Sequence, residues 1–193
     1  HLLCPARPIR LEFDAAAVRL ALEDGRELSA RLVVAADGAD SWTRAAAGID
    51  VHFNPYDQLG VVANFTVERP HHGVAFQWFR RDGILAWLPL PGERISMVWS
   101  TPTAHGRELL ELAGDELCAR VADAGGGRLG RFEALTPAAG FPLRLMRAPR
   151  AVGPRLALIG DAAHTIHPLS GHGINLGFQD ACVLAEVLCA KPG

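Results

Sequence analysis

One stretch near the end of the chain, residues 156–188, constrains the fold more than any other. It begins with an apolar run that ends on a glycine and Asp161, and after a short loop a helical pattern opens near Gly173. A buried strand that delivers an acid at its carboxyl end, followed by a helix that starts among glycines, is how α/β folds hold a polar cofactor. The stretch therefore predicts a cofactor site of the α/β type.

A second buried strand with a similar ending lies near the start of the chain. Residues 32–36 form a continuous apolar run, typical of a strand buried on both faces of a parallel sheet. The run ends on Asp37 and Gly38, and Ser41 is then placed to cap a short helix that contains Arg44. The two strands predict a parallel pair whose carboxyl ends both carry an acid.

The pattern between these strands is different. Short alternating runs separated by Gly and Pro turns predict antiparallel strands. They lie at residues 59–68, 74–79, 84–90 and 94–100, after an earlier hairpin at 18–22 and 27–30. A single amphipathic helix is predicted over about residues 106–124, and extended structure resumes at 132–144.

This order of elements predicts a fold of class α/β plus α+β. Residues 1–48 and 151–193 are expected to form one discontinuous domain. Residues 49–150, an antiparallel sheet plus a helix, are expected to be a second domain inserted into the first.

The bulk composition excludes several classes of protein. The net charge is -2 over 193 residues with acids and bases interspersed, so no basic stripe indicates nucleic-acid binding. The four cysteines have no CxxC spacing, which favours free thiols in a reducing compartment. No uninterrupted apolar run approaches about 18 residues, and no signal peptide is visible. We therefore expect a cytoplasmic protein, with contact to the inner membrane as the alternative.

Three other motifs match a functional pattern only in part. Residues 125–130 match GxGxxG as a string, but a helix precedes them and extended structure follows, so we expect a loop that ends a helix. Asp161, His164 and His167 have ligand chemistry, but their loop has no helix to set the spacing, and we expect no metal. The segment around Ser170 lacks the register of a hydrolase elbow.

Three tryptophans on successive predicted strands allow two interpretations. Trp78, Trp87 and Trp99 have similar phase, so they share one face of the sheet. Such residues are more often a packed core face, although they also suit a pocket for an aromatic or apolar substrate. We favour the core and keep the pocket as the weaker alternative.

The two acid-ended motifs together resemble a known family, the FAD-dependent aromatic-ring hydroxylases. The strand-Asp-Gly-x-x-Ser-x-x-Arg pattern of residues 37–44 resembles their middle flavin motif. The later stretch resembles their second flavin motif through Gly160, Asp161, Ala162, Ala163, His164, Pro168, Gly171, Gly173, Ile174, Asn175, Gly177 and Asp180. Within that family the chain looks most similar to the ubiquinone-biosynthesis hydroxylases that act on polyprenyl phenols.

The resemblance implies a p-hydroxybenzoate-hydroxylase-like FAD-binding domain with an inserted substrate domain. It implies that Asp161 holds the ribityl chain, that the loop after it lies against the flavin ring, and that Asp37 lies near the pyrophosphate and the route of NAD(P)H. The cofactor-binding residues that it implies are Asp37, Gly38, Arg44, Gly160, Asp161, Pro168, Gly171, His172, Gly173, Ile174 and Asn175. No catalytic acid or base is predicted, because the hard chemistry belongs to the cofactor.

The resemblance also implies the activity: hydroxylation of a phenolic ring, with a small, lipid-tailed aromatic substrate, O2 and NAD(P)H. Two departures qualify it. His172 stands where the family usually has Gln, and no strand-GxGxxG-helix unit is present in the sequence. We therefore expect an incomplete flavin site and self-association through exposed apolar faces. The alternatives are a piece without flavin or activity, or a flavoenzyme acting on small phenols.

Overall fold

The computed structural model describes residues 1–167 and 171–190, and it divides into two compact units. Unit 1 consists of His1–Asn54 and Leu145–Gly193, and unit 2 is Pro55–Arg144. The first boundary lies at residue 54 against 48 in the sequence interpretation, and the second at 144 against 150, a difference of six residues in each case. Unit 1 is thus built from two stretches that are far apart in the sequence.

The first layer of unit 1 is a three-stranded antiparallel sheet. Its strands are β1 (Pro8–Phe13), β2 (Val18–Leu22) and β3 (Glu27–Ala30), in that order. The hairpin of β2 and β3 was predicted from its Asp-Gly turn, where Gly25 has a φ of 87°. Strand β1 was not predicted, although its Ile-Arg-Leu-Glu-Phe run alternates apolar and polar residues as a half-buried strand does.

The second layer of unit 1 contains the parallel pair of strands expected from the sequence. Strand β4 (Val33–Ala35) lies parallel to a later strand, Leu156–Leu158, with Leu156 opposite Val33. Both strands are short and apolar, and Leu156, Leu158 and Ala35 belong to the core of this unit. The carboxyl ends of the two strands therefore meet at one edge.

The remaining elements of unit 1 surround this pair. In chain order they are α1 (Trp42–Ala46), a strand Val152–Gly153, the strand Leu156–Leu158, a 3-10 turn Gly160–Ala162, a strand His164–Thr165 and a long helix His172–Ala190. The strand His164–Thr165 pairs antiparallel with Met146 and Arg147.

Unit 2 is an antiparallel sheet covered on one face by two helices. Its elements are β5 (Phe53–Val67), β6 (Phe76–Arg80), β7 (Gly83–Leu90), β8 (Arg94–Pro102), α2 (Thr103–Glu111), α3 (Gly114–Ala124), β9 (Phe132–Ala134) and β10 (Ala139–Arg147). The strand order is β10-β5-β8-β7-β6, with β9 also paired to β5. The three later strands of unit 1 are accordingly β11 (Val152–Gly153), β12 (Leu156–Leu158) and β13 (His164–Thr165), and its long helix is α4 (His172–Ala190).

The prediction of a single helix over residues 106–124 is wrong, because the structure has two helices there. The chain leaves helical geometry at Leu112, whose ψ is 140°, and at Ala113, whose ψ is 154°. The turn lets Leu109 of α2 and both Leu117 and Val121 of α3 enter the same core. Gly114, where α3 begins, has low helical propensity and favours a break here, and the packing of the two faces fixes the turn.

The register of unit 2 separates a core face of the sheet from an open face. On the core face, Leu85 lies opposite Trp99 and Trp87 lies opposite Met97, and all four are fully buried. On the open face, Ala86 lies opposite Val98, which lies opposite Val62 on the next strand. The open face also carries Phe79 and Leu88, which are 75% and 43% exposed. The open face therefore carries one apolar row, Val62, Val98 and Ala86, with the polar residues Asn64, Ser96 and Gln77 at neighbouring positions.

Helix α4 is apolar around most of its circumference. None of its residues is fully buried, and Ile174 and Phe178 are 67% and 63% exposed. By length and composition α4 could cross a membrane, and it is the one such helix within the described residues. The sequence interpretation did not predict a helix of this kind, because polar residues interrupt the apolar run of α4. Core helices of soluble proteins meet the same criterion, so length and composition alone do not separate the two cases.

Candidate cofactor site

A cleft in unit 1 lies where β4 and β12 end and α4 begins. It has a volume of about 600 Å³. Its lining residues are Ala36, Gly38, Ile159, Gly160, Asp161, Gly173, Ile174, Gly177, Phe178 and Ala181. Clefts outside the carboxyl ends of parallel strands are where open α/β sheets bind their ligands.

Glycines on two sides of the cleft leave room for a ligand to touch the backbone. A Cβ built on Gly38 or on Gly173 would meet no protein atom within 4 Å. Because both residues line the cleft, a side chain there would take up space that a ligand can use. Helix α4 begins at His172, and the positive end of its dipole favours electron-rich groups. These features fit a flat, polar cofactor such as a flavin.

Asp161 supplies the acid of the cleft. It lies in the 3-10 turn Gly160–Ala162, directly after β12, and its side chain is exposed. The chain enters this turn through Gly160, whose φ of 58° favours glycine. A carboxylate at this position can accept hydrogen bonds from ligand hydroxyls, as the sequence interpretation proposed for it.

The first motif is held together by hydrogen bonds among its own residues. Asp37 accepts from the hydroxyl of Ser41 and, at 2.9 Å, from the backbone N–H of Thr43. Partial burial opposes ionisation of Asp37, but these hydrogen bonds outweigh it and lower the pKa of the carboxyl. The Oγ of Ser41 also accepts from the N–H of Arg44 at 3.0 Å, which caps α1. Asp37 thus stabilises the start of α1.

Arg44 joins this motif to the second one. Its side chain is buried, with Nη1 donating to the carbonyl of Ala162 at 2.9 Å and Nη2 to that of Ala39 at 2.8 Å. Ala162 directly follows Asp161, so Arg44 supports the turn that carries the acid. Neither Asp37 nor Arg44 is among the residues that line the cleft.

The other predicted residues fall into three groups. Gly38, Gly160, Asp161, Gly173 and Ile174 line the one cleft. Gly171, His172 and Asn175 lie at or near the start of α4, and all three are exposed residues that do not line the cleft. Pro168 lies outside the described residues.

Metal ligation was the rejected alternative for this region. Over residues 1–167 and 171–190, no three His, Cys, Asp or Glu side chains come close enough to hold a metal ion. His164 instead pairs with Asp180, with Nε2 at 2.7 Å from Oδ2.

The tryptophans are distributed between core and surface. Trp87 and Trp99 have no exposed surface and pack in the core of unit 2. Trp78 is partly buried and meets Trp87 edge to face, with ring centroids 4.6 Å apart. Of the three, Trp78 alone keeps surface that a substrate could touch.

Five lining residues were not among the predicted cofactor-binding residues, although one of them, Gly177, belongs to the second flavin motif: Ala36, Ile159, Gly177, Phe178 and Ala181. Gly177 follows Gly173 by one helical turn, and a Cβ on Gly177 would lie 3.2 Å from the Cα of Gly160. Two glycines one turn apart on the same helix face indicate that the helix packs closely against another part of the backbone, here Gly160. Phe178 and Ala181 gave no such signal, because helical periodicity alone does not tell which apolar residues border a cleft.

Comparisons with known proteins show the family to which the chain belongs. The model of the family described as "FAD binding domain" matches residues 12–191. The chain is 41% identical over 189 residues to the ubiquinone hydroxylase UbiL of Rhodospirillum rubrum, which covers 98% of this chain and 44% of that protein. It is also 41% identical over 169 residues to the 3-demethoxyubiquinol 3-hydroxylase of Escherichia coli, covering 88% and 43% of the two chains.

Solved structures give the same result. PqsL, a probable FAD-dependent monooxygenase from Pseudomonas aeruginosa, is 28% identical with a TM-score of 0.75, and the match covers 95% of this chain and 53% of PqsL. The chain thus spans less than half the length of the two hydroxylases and about half of PqsL.

Proposed function

Since this chain belongs to the family of FAD binding domains, we propose that it is part of an FAD-dependent monooxygenase that hydroxylates a phenolic ring. The observation that carries the proposal is the cleft of unit 1, in which Asp161 and two backbone-exposing glycines meet the start of α4. The sequence relatives named as hydroxylases of ubiquinone compounds support the reaction class.

Asp161, the two glycines and the start of α4 each have a separate task in this proposal. Asp161 accepts hydrogen bonds from the ribityl hydroxyls, while Gly38 and Gly173 let the backbone approach the cofactor closely. The amide groups at the start of α4 stabilise negative charge on the flavin ring. FAD, when bound, supplies the redox chemistry and the activation of O2, with NAD(P)H as the reductant. The protein residues hold the cofactor, orient the substrate and exclude water from the site.

The substrate that we propose is a phenol with a polyprenyl tail, a precursor of ubiquinone. The printed names of the relatives support this class of compound. The open face of the unit 2 sheet supports it independently, because Val62, Ala86 and Val98 form an apolar row in register, with Leu88 on the same face. Such a row suits an apolar ring or tail better than a small polar phenol. A lipid-tailed substrate also favours a cytoplasmic protein at the surface of the inner membrane.

The function is tested on the protein expressed from its full reading frame. We expect a yellow protein with stoichiometric absorbance near ~450 nm. We also expect oxidation of NAD(P)H to be stimulated more strongly by prenylated phenols than by simple phenols. A colourless protein that takes up no added FAD would contradict the flavin site. The reverse order of substrates would contradict the prenylated class and favour the small-phenol alternative.

The 193-residue chain by itself is expected to self-associate. The exposed apolar residues of α4, including Val183 and Val187, form a surface larger than scattered apolar side chains on a monomer. Light scattering should therefore report a mass above that of one 20.7 kDa chain. Val187→Glu should shift the chain toward the monomer, since it puts a charge into the apolar surface. A monodisperse wild-type monomer would contradict this expectation.

A further inference from the structure

The turn that carries Asp161 is tied to a carboxylate on helix α4. One oxygen of Asp180, Oδ2, accepts from the backbone N–H of Gly160 at 2.8 Å. The same oxygen lies 2.7 Å from Nε2 of His164. Gly160 comes directly before Asp161 and His164 three residues after it, so one side chain holds the segment on both sides of the acid.

The bond to Gly160 secures a backbone group that the sheet does not. Strand β12 ends at Leu158, and the chain then turns through the positive φ of Gly160. Helix α4 reaches this point because Gly177 has no side chain: a Cβ there would be 3.2 Å from the Cα of Gly160. Asp180 lies one helical turn beyond Gly177, on the same helix face, where a short carboxylate can reach the freed N–H.

The bond to His164 sets the orientation of an imidazole ring. In the tautomer that carries its proton on Nε2, His164 donates this hydrogen bond to the Asp180 carboxylate. His164 begins β13, which pairs with Met146 and Arg147. The downstream end of the segment is therefore attached to both a strand and a helix, while Arg44 holds its middle through the carbonyl of Ala162.

We propose that Asp180 is a positioning residue of the cofactor site. It is not among the residues that line the cleft, and it acts by holding Gly160 and His164 so that Asp161 faces the ligand. The inference rests on the proposed function in that the ligand is FAD. Ligand-binding groups require such support, because a displacement of about 1 Å weakens their hydrogen bonds.

Two substitutions at Asp180 separate positioning from a simple need for charge. Asp180→Ala removes both accepted bonds, and we expect FAD affinity to fall about 10-fold or more. Asp180→Asn keeps an oxygen that can accept both bonds, so its affinity should stay within about 3-fold of the wild type. Glu186→Ala, which removes the other acid of α4, is the matched control and should bind as the wild type does.

The measurement is titration of the apoprotein with FAD, followed by flavin fluorescence, on the protein expressed from its full reading frame. Far-UV circular dichroism should first show that each variant is folded at the temperature of the titration. If Asp180→Ala binds FAD as tightly as the wild type, the positioning role is overturned while the proposed function stands. Equal losses in Asp180→Ala and Asp180→Asn would also overturn the positioning role. A wild-type protein that binds no FAD would overturn the proposed function and this inference together.

The partner of Asp180 provides a second route if Asp180→Ala does not fold. His164→Gln keeps an N–H donor for the carboxylate, whereas His164→Leu removes it. We expect His164→Leu to bind FAD several-fold more weakly than His164→Gln. Equal affinity of both variants and the wild type would contradict the role given to this pair.

Discussion

Replacing Asp161 with alanine is expected to weaken FAD binding about 10- to 100-fold, because hydrogen bonds to a charged group contribute about 1.5–3 kcal/mol. Asp161 is the one acid that lines the cleft among the described residues, and it lies in a turn that Arg44 and Asp180 hold from two sides. The truncation leaves those contacts to the backbone and to His164 intact. The loss should therefore appear in affinity rather than in stability.

The control for this substitution is Asp50→Ala, an exposed acid of unit 1 away from the lining set. Titration with FAD and thermal melting of the apoprotein, on the same preparations, separate the two effects. Asp161→Ala with wild-type affinity would remove the central residue from the proposed site. If Asp161→Ala lowers the melting temperature of the apoprotein together with the affinity for FAD, Asp161 supports the fold and does not bind the ligand.

Replacing Gly83 with alanine is expected to have the largest effect on stability. Gly83 has a φ of 124°, and a Cβ there would lie 2.0 Å from the carbonyl oxygen of Ser100. That oxygen belongs to β8, whose register with β7 places Ile84 opposite Ser100, so it cannot move without breaking the ladder. Backbone strain and overpacking together should cost about 3 kcal/mol or more.

A matched glycine makes this prediction specific. Gly92 also has a positive φ, 74°, in the next turn of the same sheet, but a Cβ there would meet nothing within 4 Å. Gly92→Ala should therefore cost only about 1 kcal/mol, from its backbone conformation. Urea unfolding followed by tryptophan fluorescence measures both, because Trp87 and Trp99 lie in the core of unit 2. Equal stability of the two variants would show that the contact with Ser100 is relieved at little cost.

The elements that the sequence predicted well are those with a strong local signal. Strand β7 (Gly83–Leu90) and strand β8 (Arg94–Pro102) were predicted within two residues at each end, because apolar runs end there at glycine and proline turns. The start of α4 at His172 was predicted within one residue from the glycines before it. In each case the information lies within a few residues of the boundary.

What the sequence did not predict depends on contacts between distant residues. The break between α2 and α3 has no proline and only Gly114 as a local signal, and the shared core shows why the chain turns at Leu112. Likewise, alternation placed Trp87 and Trp99 on one face of the sheet but did not tell which face the helices cover. The link from Asp180 to Gly160 spans 20 residues and needs the helix docked before it can be recognised.

The site residues show the same division. The resemblance indicated Gly38, Gly160, Asp161, Gly173 and Ile174, all of which line the cleft. It could not tell a residue that faces the cleft from one that supports it. Arg44 shows this, because its guanidinium is buried and donates to two backbone carbonyls.

The parallel pairing of β4 with β12 also determines the order in which the protein can fold during synthesis. Val33 cannot pair with Leu156 until Leu156 leaves the ribosome, which happens only after all of Pro55–Arg144 has been made. At typical synthesis rates that intervening stretch takes roughly 5 to 20 s. Unit 2 is continuous in sequence and can fold during that interval. The apolar strand β4 has no parallel partner until β12 emerges, and an unpaired strand edge of this kind is prone to aggregate.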